Sequence, residues 1–352
     1  MSVLPRARNG GRHHSLSAKA LRVLAWVAGA FLIALALGAA YQGLATAGDM
    51  RSFPRPGELV DIGTDGRSLQ LHLNCAGTGS PTVILEGGQG AIASDWAWIQ
   101  PAVAETTRVC AYDRAGMGWS DPGSSVRDAR QIAEELHMLL GKAGVPGPHV
   151  LVGHSYGGLY VRAFAGTYPA DVAGVVFIDA SHPDQWERSA EGREQFILTE
   201  RTYAIARPLS RVGLLRVLNF NPVNGDLPSP AGAQHKAMAD TVQYVDSAAD
   251  EFAASSATNR QVRNAGTLGD RPLVVLSAGT HGTPPEMEQL AADLQSELVR
   301  LSTNGVHRLV PGADHSSLVI KENDAAVTTG AIQAVIGAVR SGRPLSQLGA
   351  SR

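Results

Sequence analysis

The sequence predicts an α/β fold: a mostly parallel sheet with a helical cap inserted over one edge, preceded by a membrane-spanning helix. Three observations carry this. Apolar strand-like runs alternate with helical patterns from residue 59 onward. The pentapeptide Gly153-His154-Ser155-Tyr156-Gly157 lies between one such strand and one such helix. Residues 23–40 form an unbroken apolar stretch.

The N-terminal elements come first. No charged residue occurs between Arg22 and Asp49. About 20 apolar residues are needed to cross a bilayer, so 23–47 reads as a transmembrane anchor. Arg6, Arg8, Arg12, Lys19 and Arg22 mark the basic segment 1–22, which contains no acid. The positive-inside rule puts that segment in the cytoplasm and the domain that follows on the extracytoplasmic side of a single-pass cell-membrane protein. The competing reading is secretion after signal cleavage near Ala47, in the A-x-A motif Ala45-Thr46-Ala47. A buried core helix is a third. Residues 48–58 read as a linker.

Strands then follow quickly. Residues 59–62 and 69–73 flank the hairpin signal Thr64-Asp65-Gly66. Strands 82–85 and 108–112 end at Glu86-Gly87-Gly88-Gln89-Gly90 and Asp113-Arg114-Ala115-Gly116. An amphipathic helix spans 126–143, with Ile132, Leu136, Leu139 and Leu140 on one side. The run 149–152 is the strand before Ser155, and 172–178 is another, ending at Asp179. The last two strands are 272–276 and 307–310. Residues 181–271 lack a strong strand and are too long for a loop. They read as the cap, helical around 187–203 and 233–257, with a turn-rich 219–230 between. Core segments are therefore 59–180 and 272–342, and the tail 341–352 looks frayed.

Composition adds limits. The chain has 352 residues, 44% hydrophobic and 18% charged, with a formal net charge of -2. That balance is ordinary for a globular protein and offers nucleic acid nothing. Cys75 and Cys110 are either a disulfide pair or two buried small apolar residues. Two distant cysteines and the lack of an H-E-x-x-H motif leave no metal site, and no cofactor is expected.

The chemistry starts from Ser155. A sharp strand–helix turn exposes its hydroxyl, and Gly153 and Gly157 remove side chains that would collide. A serine needs an adjacent base. His315, in the loop after 307–310, has the best placement; His281 and His182 are weaker, and His154 packs or binds a loop. The third member is a carboxylate that holds the imidazole. Its usual place, just after 272–276, carries none, so Asp179 is assigned, with Glu286 as the alternative acid and a capping role as the competing reading for Asp179. Oxyanion donors are the amides of Tyr156 and Gly88. Asp113 and Arg114 hold a loop.

Gly153-His-Ser-Tyr-Gly-Gly158, Tyr112-Asp-Arg-Ala-Gly-Met-Gly-Trp-Ser120, Phe177-Ile-Asp-Ala-Ser181 and Gly312-Ala-Asp-His315 together resemble the α/β-hydrolase superfamily over roughly 59–339. More narrowly, the chain looks like bacterial members with an N-terminal membrane helix. The resemblance implies an eight-stranded sheet, a helical cap and cofactor-free hydrolysis. Some related haloalkane dehalogenases carry the acid after the strand equivalent to 172–178, which matches Asp179. Two departures stand out: Glu86-Gly87 replaces the usual His-Gly, and the usual acid loop is empty of acids.

The expected activity is therefore ester hydrolysis by a serine hydrolase acting on a small-molecule ester-like substrate, with the bilayer as a second partner through the N-terminal helix. Trp186, Phe196 and Tyr203 are candidates to shape an acyl pocket, or plain core. The same triad also serves lactone, amide or C–C bond hydrolysis, or acyl transfer. A non-catalytic ligand-binding protein on the same scaffold is the reading from another class.

Overall fold

The computed structural model describes residues 18–63, 66–124, 126–221 and 224–348. Eight strands form one sheet: β1 Glu58–Asp61, β2 Gln70–Ala76, β3 Val83–Glu86, β4 Val109–Tyr112, β5 His149–His154, β6 Val172–Ile178, β7 Leu273–Ala278 and β8 Gly305–Val310. Their order is β1-β2-β4-β3-β5-β6-β7-β8. β1–β2 and β2–β4 pair antiparallel and the remaining pairs are parallel. Parallel strands are covered on both faces, which is why β3 to β7 read as continuous apolar runs. One apolar layer centres on Leu159, Phe164 and Phe177, the other on Val152, Ile178 and Ile332.

The described residues also form thirteen helices. They are α1 Ala18–Ser52, α2 Ile99–Ala104, α3 Ala129–Lys142, α4 Gly157–Thr167, α5 Ala190–Arg211, α6 Leu214–Val217, α7 Ala231–Ala239, α8 Val242–Ala253, α9 Ser255–Arg263, α10 Pro285–Val299, α11 Ser317–Ile320, α12 Glu322–Ser341 and α13 Leu345–Leu348. Five of them, α5 to α9, lie between β6 and β7.

Several boundaries differ from expectation. α1 is long and apolar enough to cross a membrane, but it runs through Ser52 and absorbs half of the expected linker 48–58. Pro54 is the first residue that cannot continue it. α3 begins at Ala129, because the Asp128 side chain accepts the Gln131 amide and caps it there. The single stretch expected over 233–257 is three helices; Thr241 caps α8 through the Tyr244 amide and separates it from α7. The expected frayed tail is ordered as far as α13, where Leu345 is buried. Thr64, Asp65, Arg6, Arg8, Arg12 and residues 349–352 lie outside the described residues.

Cys75 and Cys110 face each other across β2 and β4 and are joined by a disulfide.

Candidate active site

β5 sits near the middle of the sheet and delivers Ser155 at its C-terminal end, where α/β sheets gather their sites. The turn into α4 is tight. A side chain at Gly157 would lie 2.4 Å from the Glu86 carbonyl oxygen, and one at Gly153 2.8 Å from that of Gly157. Only glycine fits either position. Ser155 has φ 52°, in the left-handed region that a non-glycine residue adopts at a cost. Its carbonyl holds the turn by accepting the amides of Gly158 and Ser181.

The neighbouring strand β6 ends at Asp179, which also has a positive φ, 42°. Its amide donates to the Leu276 carbonyl, and its Oδ1 accepts the Ala278 amide at 3.1 Å, which fixes the carboxylate plane. Oδ2 then points to the cavity and takes two histidines: His315 Nδ1 at 2.5 Å and His281 Nε2 at 3.0 Å. Burial alone would raise the Asp179 carboxyl, but the bonds from His281 and His315 outweigh it and hold it well below the usual carboxylate range. It is thus a carboxylate at neutral pH. With Nδ1 donating to Asp179, His315 keeps Nε2 as a proton acceptor.

His281 was expected to be only a weaker candidate base. Both its ring nitrogens face carboxylates, Asp179 on one side and Glu288 Oε2 on the other at 2.9 Å. Both must donate, so the ring is an imidazolium. The hydrogen bond to Asp179 lifts its pKa to about 9 against partial burial, with Glu288 adding to the effect. The bonds that Glu288 accepts from the His281 ring and the Thr283 amide lower its pKa to about 2. Neither partnership has a sequence signal beyond the position of His281 after β7.

Glu286, the alternative acid, is in the first turn of α10. Among the described residues no hydrogen bond joins it to His315. His154 is kept neutral mainly by burial, its pKa down to about 4, so its Nε2–H donates to the His315 carbonyl at 3.0 Å and pins that loop. His182 instead faces Asp184 and Glu297.

The glycine loop after β3 approaches the serine closely: a side chain at Gly88 would be 3.0 Å from Ser155 Cβ. Among the described residues neither the Gly88 nor the Tyr156 amide forms a hydrogen bond, and both sit beside Ser155. The carbonyls of this loop are held from beneath by buried Arg114. Its Nη1 donates to the Gly87 oxygen at 2.9 Å and its Nη2 to the Gly88 oxygen at 2.8 Å. The same fork binds Glu86 Oε1 at 2.7 Å and both oxygens of Glu251. Tyr112 donates its hydroxyl to Glu86. Glu86, which stands where the resemblance would place His, anchors the arginine that shapes the loop. Asp113 accepts the Ala93 and Trp119 amides and the ring of His72.

Ser155, Asp179, His281, His315, Gly88 and Tyr156 all line one cavity of about 1190 Å³. Trp186 lines it too, while Phe196 and Tyr203 pack on Phe252. His235 reaches it from α7 and holds Asp95 at 2.7 Å.

Comparison with known proteins agrees with this architecture. Residues 81–213 match a family model described as alpha/beta hydrolase fold. An uncharacterized protein of Schizosaccharomyces pombe is 27% identical over 302 residues, 76% of this chain and 55% of its own length. An AB hydrolase superfamily protein of Gibberella zeae is 34% identical over 136 residues, 35% of this chain and 42% of its own. The chain thus spans only about half the length of these curated relatives. Among solved structures, a thermophilic esterase from Thermogutta terrifontis superposes with a TM-score of 0.59 at 20% identity, covering 80% of this chain and 98% of that one. With its eight-stranded, mostly parallel sheet and a matching family model, the chain has the alpha/beta hydrolase fold.

Proposed function

We propose that the protein is a serine hydrolase that cleaves carboxylic esters through Ser155, His315 and Asp179. One observation carries this reading: Asp179 Oδ2 takes His315 Nδ1 in the same cavity that exposes Ser155 from a strained turn. In the reaction His315 Nε2 removes the Ser155 proton as Oγ attacks the acyl carbon. Asp179 stabilises the imidazolium that forms. The amides of Gly88 and Tyr156 receive the developing oxyanion, a contribution of roughly 3–4 kcal/mol per donor. His315 returns the proton to the leaving alcohol, and water, activated by the same imidazole, releases the acid. An aspartate nucleophile, as in epoxide hydrolases and haloalkane dehalogenases, is replaced here by Ser155.

The experiment is covalent labelling with a fluorophosphonate probe, together with hydrolysis of p-nitrophenyl esters of increasing acyl length. Labelling that disappears in Ser155→Ala supports the assignment. An unlabelled wild type that turns over no ester would overturn it.

The same reading puts the domain outside the cytoplasm on a retained anchor. A disulfide between Cys75 and Cys110 suits an oxidising compartment. α1 also packs on the domain through Gly38, Gln42 and Asp49, and cleavage near Ala47 would discard most of that contact. Intact protein appearing in the soluble fraction without detergent would reject the anchor.

A further inference from the structure

α1 is free of the domain over its first half and packed against it over its second. Trp26, Phe31, Leu32 and Ile33 are exposed. At Gly38 the approach becomes close: a side chain there would meet the Val212 carbonyl oxygen at 2.5 Å. Tyr41 packs at Gly213, and the Gln42 amide donates to the Asp240 carbonyl at 2.7 Å. Higher up, Asp49 pairs with Arg216 at 2.6 Å.

Helix length sets the level of a bilayer on this arrangement. The uncharged run extends from 23 to 48; counted outward from Arg22, residues 23–41 cover roughly 28 Å at 1.5 Å per residue, and Gln42 is the first polar amide after them. The hydrocarbon core is about 30 Å thick. Its outer boundary therefore falls near Gly38–Gln42, the level at which Val212 and Gly213 touch the helix. The chain leaving Gly213 forms α6, and with Asn219 aside the exposed side chains over 214–220 are apolar. Leu214, Val217, Leu218 and Phe220 are all exposed, Val217 and Leu218 at 65% and 64%. A cluster of large apolar side chains on a surface marks a contact site. This one follows directly in the chain on Val212 and Gly213, which touch α1, and Phe220 also lines the Ser155 cavity.

We propose that the face formed by Leu214, Val217, Leu218 and Phe220 docks on the lipid bilayer beside α1, so that the cavity opens at the headgroup layer and takes acyl esters held in the membrane. The substrate class rests on the ester-hydrolase reading; the docking itself rests only on a retained α1. Apolar side chains buried about 5–10 Å into the headgroup–acyl boundary are the usual means of such docking.

The test uses the full chain reconstituted in phosphatidylcholine nanodiscs. A nitrobenzoxadiazole probe is placed through Leu218→Cys, with Arg300→Cys, at the end of α10, as the control. The native cysteines are bonded to each other and do not compete. Expected is a blue shift and quenching by doxyl-labelled lipid at 218, with neither at 300. Equal absence of quenching at both positions would overturn the docking. So would a blue shift that needs two proteins per disc, because a second copy would then cover the face. In the functional arm, Val217→Asp/Leu218→Asp lowers hydrolysis of a long-chain ester in vesicles roughly tenfold and leaves soluble p-nitrophenyl acetate unchanged. Equal rates on both substrates would overturn the membrane-substrate class. A wild type inactive on p-nitrophenyl acetate rejects the ester reading instead, and the fluorescence result still decides the docking.

Discussion

His281 and His315 donate to the same oxygen, Oδ2 of Asp179, at 3.0 and 2.5 Å. The two bonds differ in kind. His281 is also held by Glu288 and is a fixed cation, whereas among the described residues nothing bonds His315 at Nε2. His281 therefore orients the acid, and the acid orients His315.

This arrangement has a pH signature. His281 is raised from 6.5 to about 9 in the folded protein, chiefly by its bond to Asp179. A raised pKa means that the stabilisation is complete below pH 6.5 and is lost as the pH climbs through about 9. Denaturant unfolding of the wild type should weaken across that window by on the order of 2 kcal/mol. His281→Ala should flatten the decline, and its stability should fall below that of the wild type at pH 6.

The acid is tested by two amides. Asp179→Asn should lower kcat by roughly 10⁴, because the amide presents the wrong hydrogen-bonding partner to His315. Glu286→Gln should change it less than about twofold, as an exposed position away from the imidazole allows. Steady-state kinetics on one p-nitrophenyl ester decides, and the reverse order rejects Asp179.

Gly157 should tolerate no side chain. An added Cβ would press on two backbone oxygens, at 2.4 Å from Glu86 and 2.7 Å from Gly87, and neither can swing away. Gly157→Ala is expected to lose roughly 3 kcal/mol or more of stability by the denaturant midpoint, while Ser155→Ala stays near wild type.

Arg114 is buried between two carboxylates and the glycine loop. Arg114→Met should cost about 3–5 kcal/mol, because Glu86 and Glu251 are left without a counter-charge. Arg114→Met/Glu251→Gln should recover part of that in the same unfolding assay. Turnover should stay low in both variants, since the Gly87 and Gly88 carbonyls no longer have their donor.

The Cys75–Cys110 bond closes a separation of 35 residues. Loop-closure entropy for that length corresponds to about 4 kcal/mol at most. Thermal melts with and without reductant should show the loss, and Cys75→Ala/Cys110→Ala should melt like the reduced protein.

Local signals made the sheet and the elbow readable. Continuous Val/Ile/Leu runs mark strands covered on both faces, and the glycines at 153 and 157 announce a turn that excludes side chains. Helix ends are less legible, because a cap such as Asp128 or Thr241 looks like any surface polar residue until its acceptor meets an amide.

Sequence alone determined the strand order along the chain, the apolar length of α1, Ser155 at its turn and His315 in the last loop, since each depends on neighbours in the chain. It also favoured Asp179 over Glu286 as the candidate acid, by the position of one strand tip. Tertiary structure alone decided that His281 and Glu288 join Asp179, that Arg114 holds the glycine loop, and that α1 meets the domain at Val212 and Gly213. His281 and Asp179 are 102 residues apart, and Arg114 and Glu251 are 137. Contacts at such separations have no period or spacing to reveal them. They exist because the sheet brings its strand ends to one edge and because buried charges settle only where a partner is already in place.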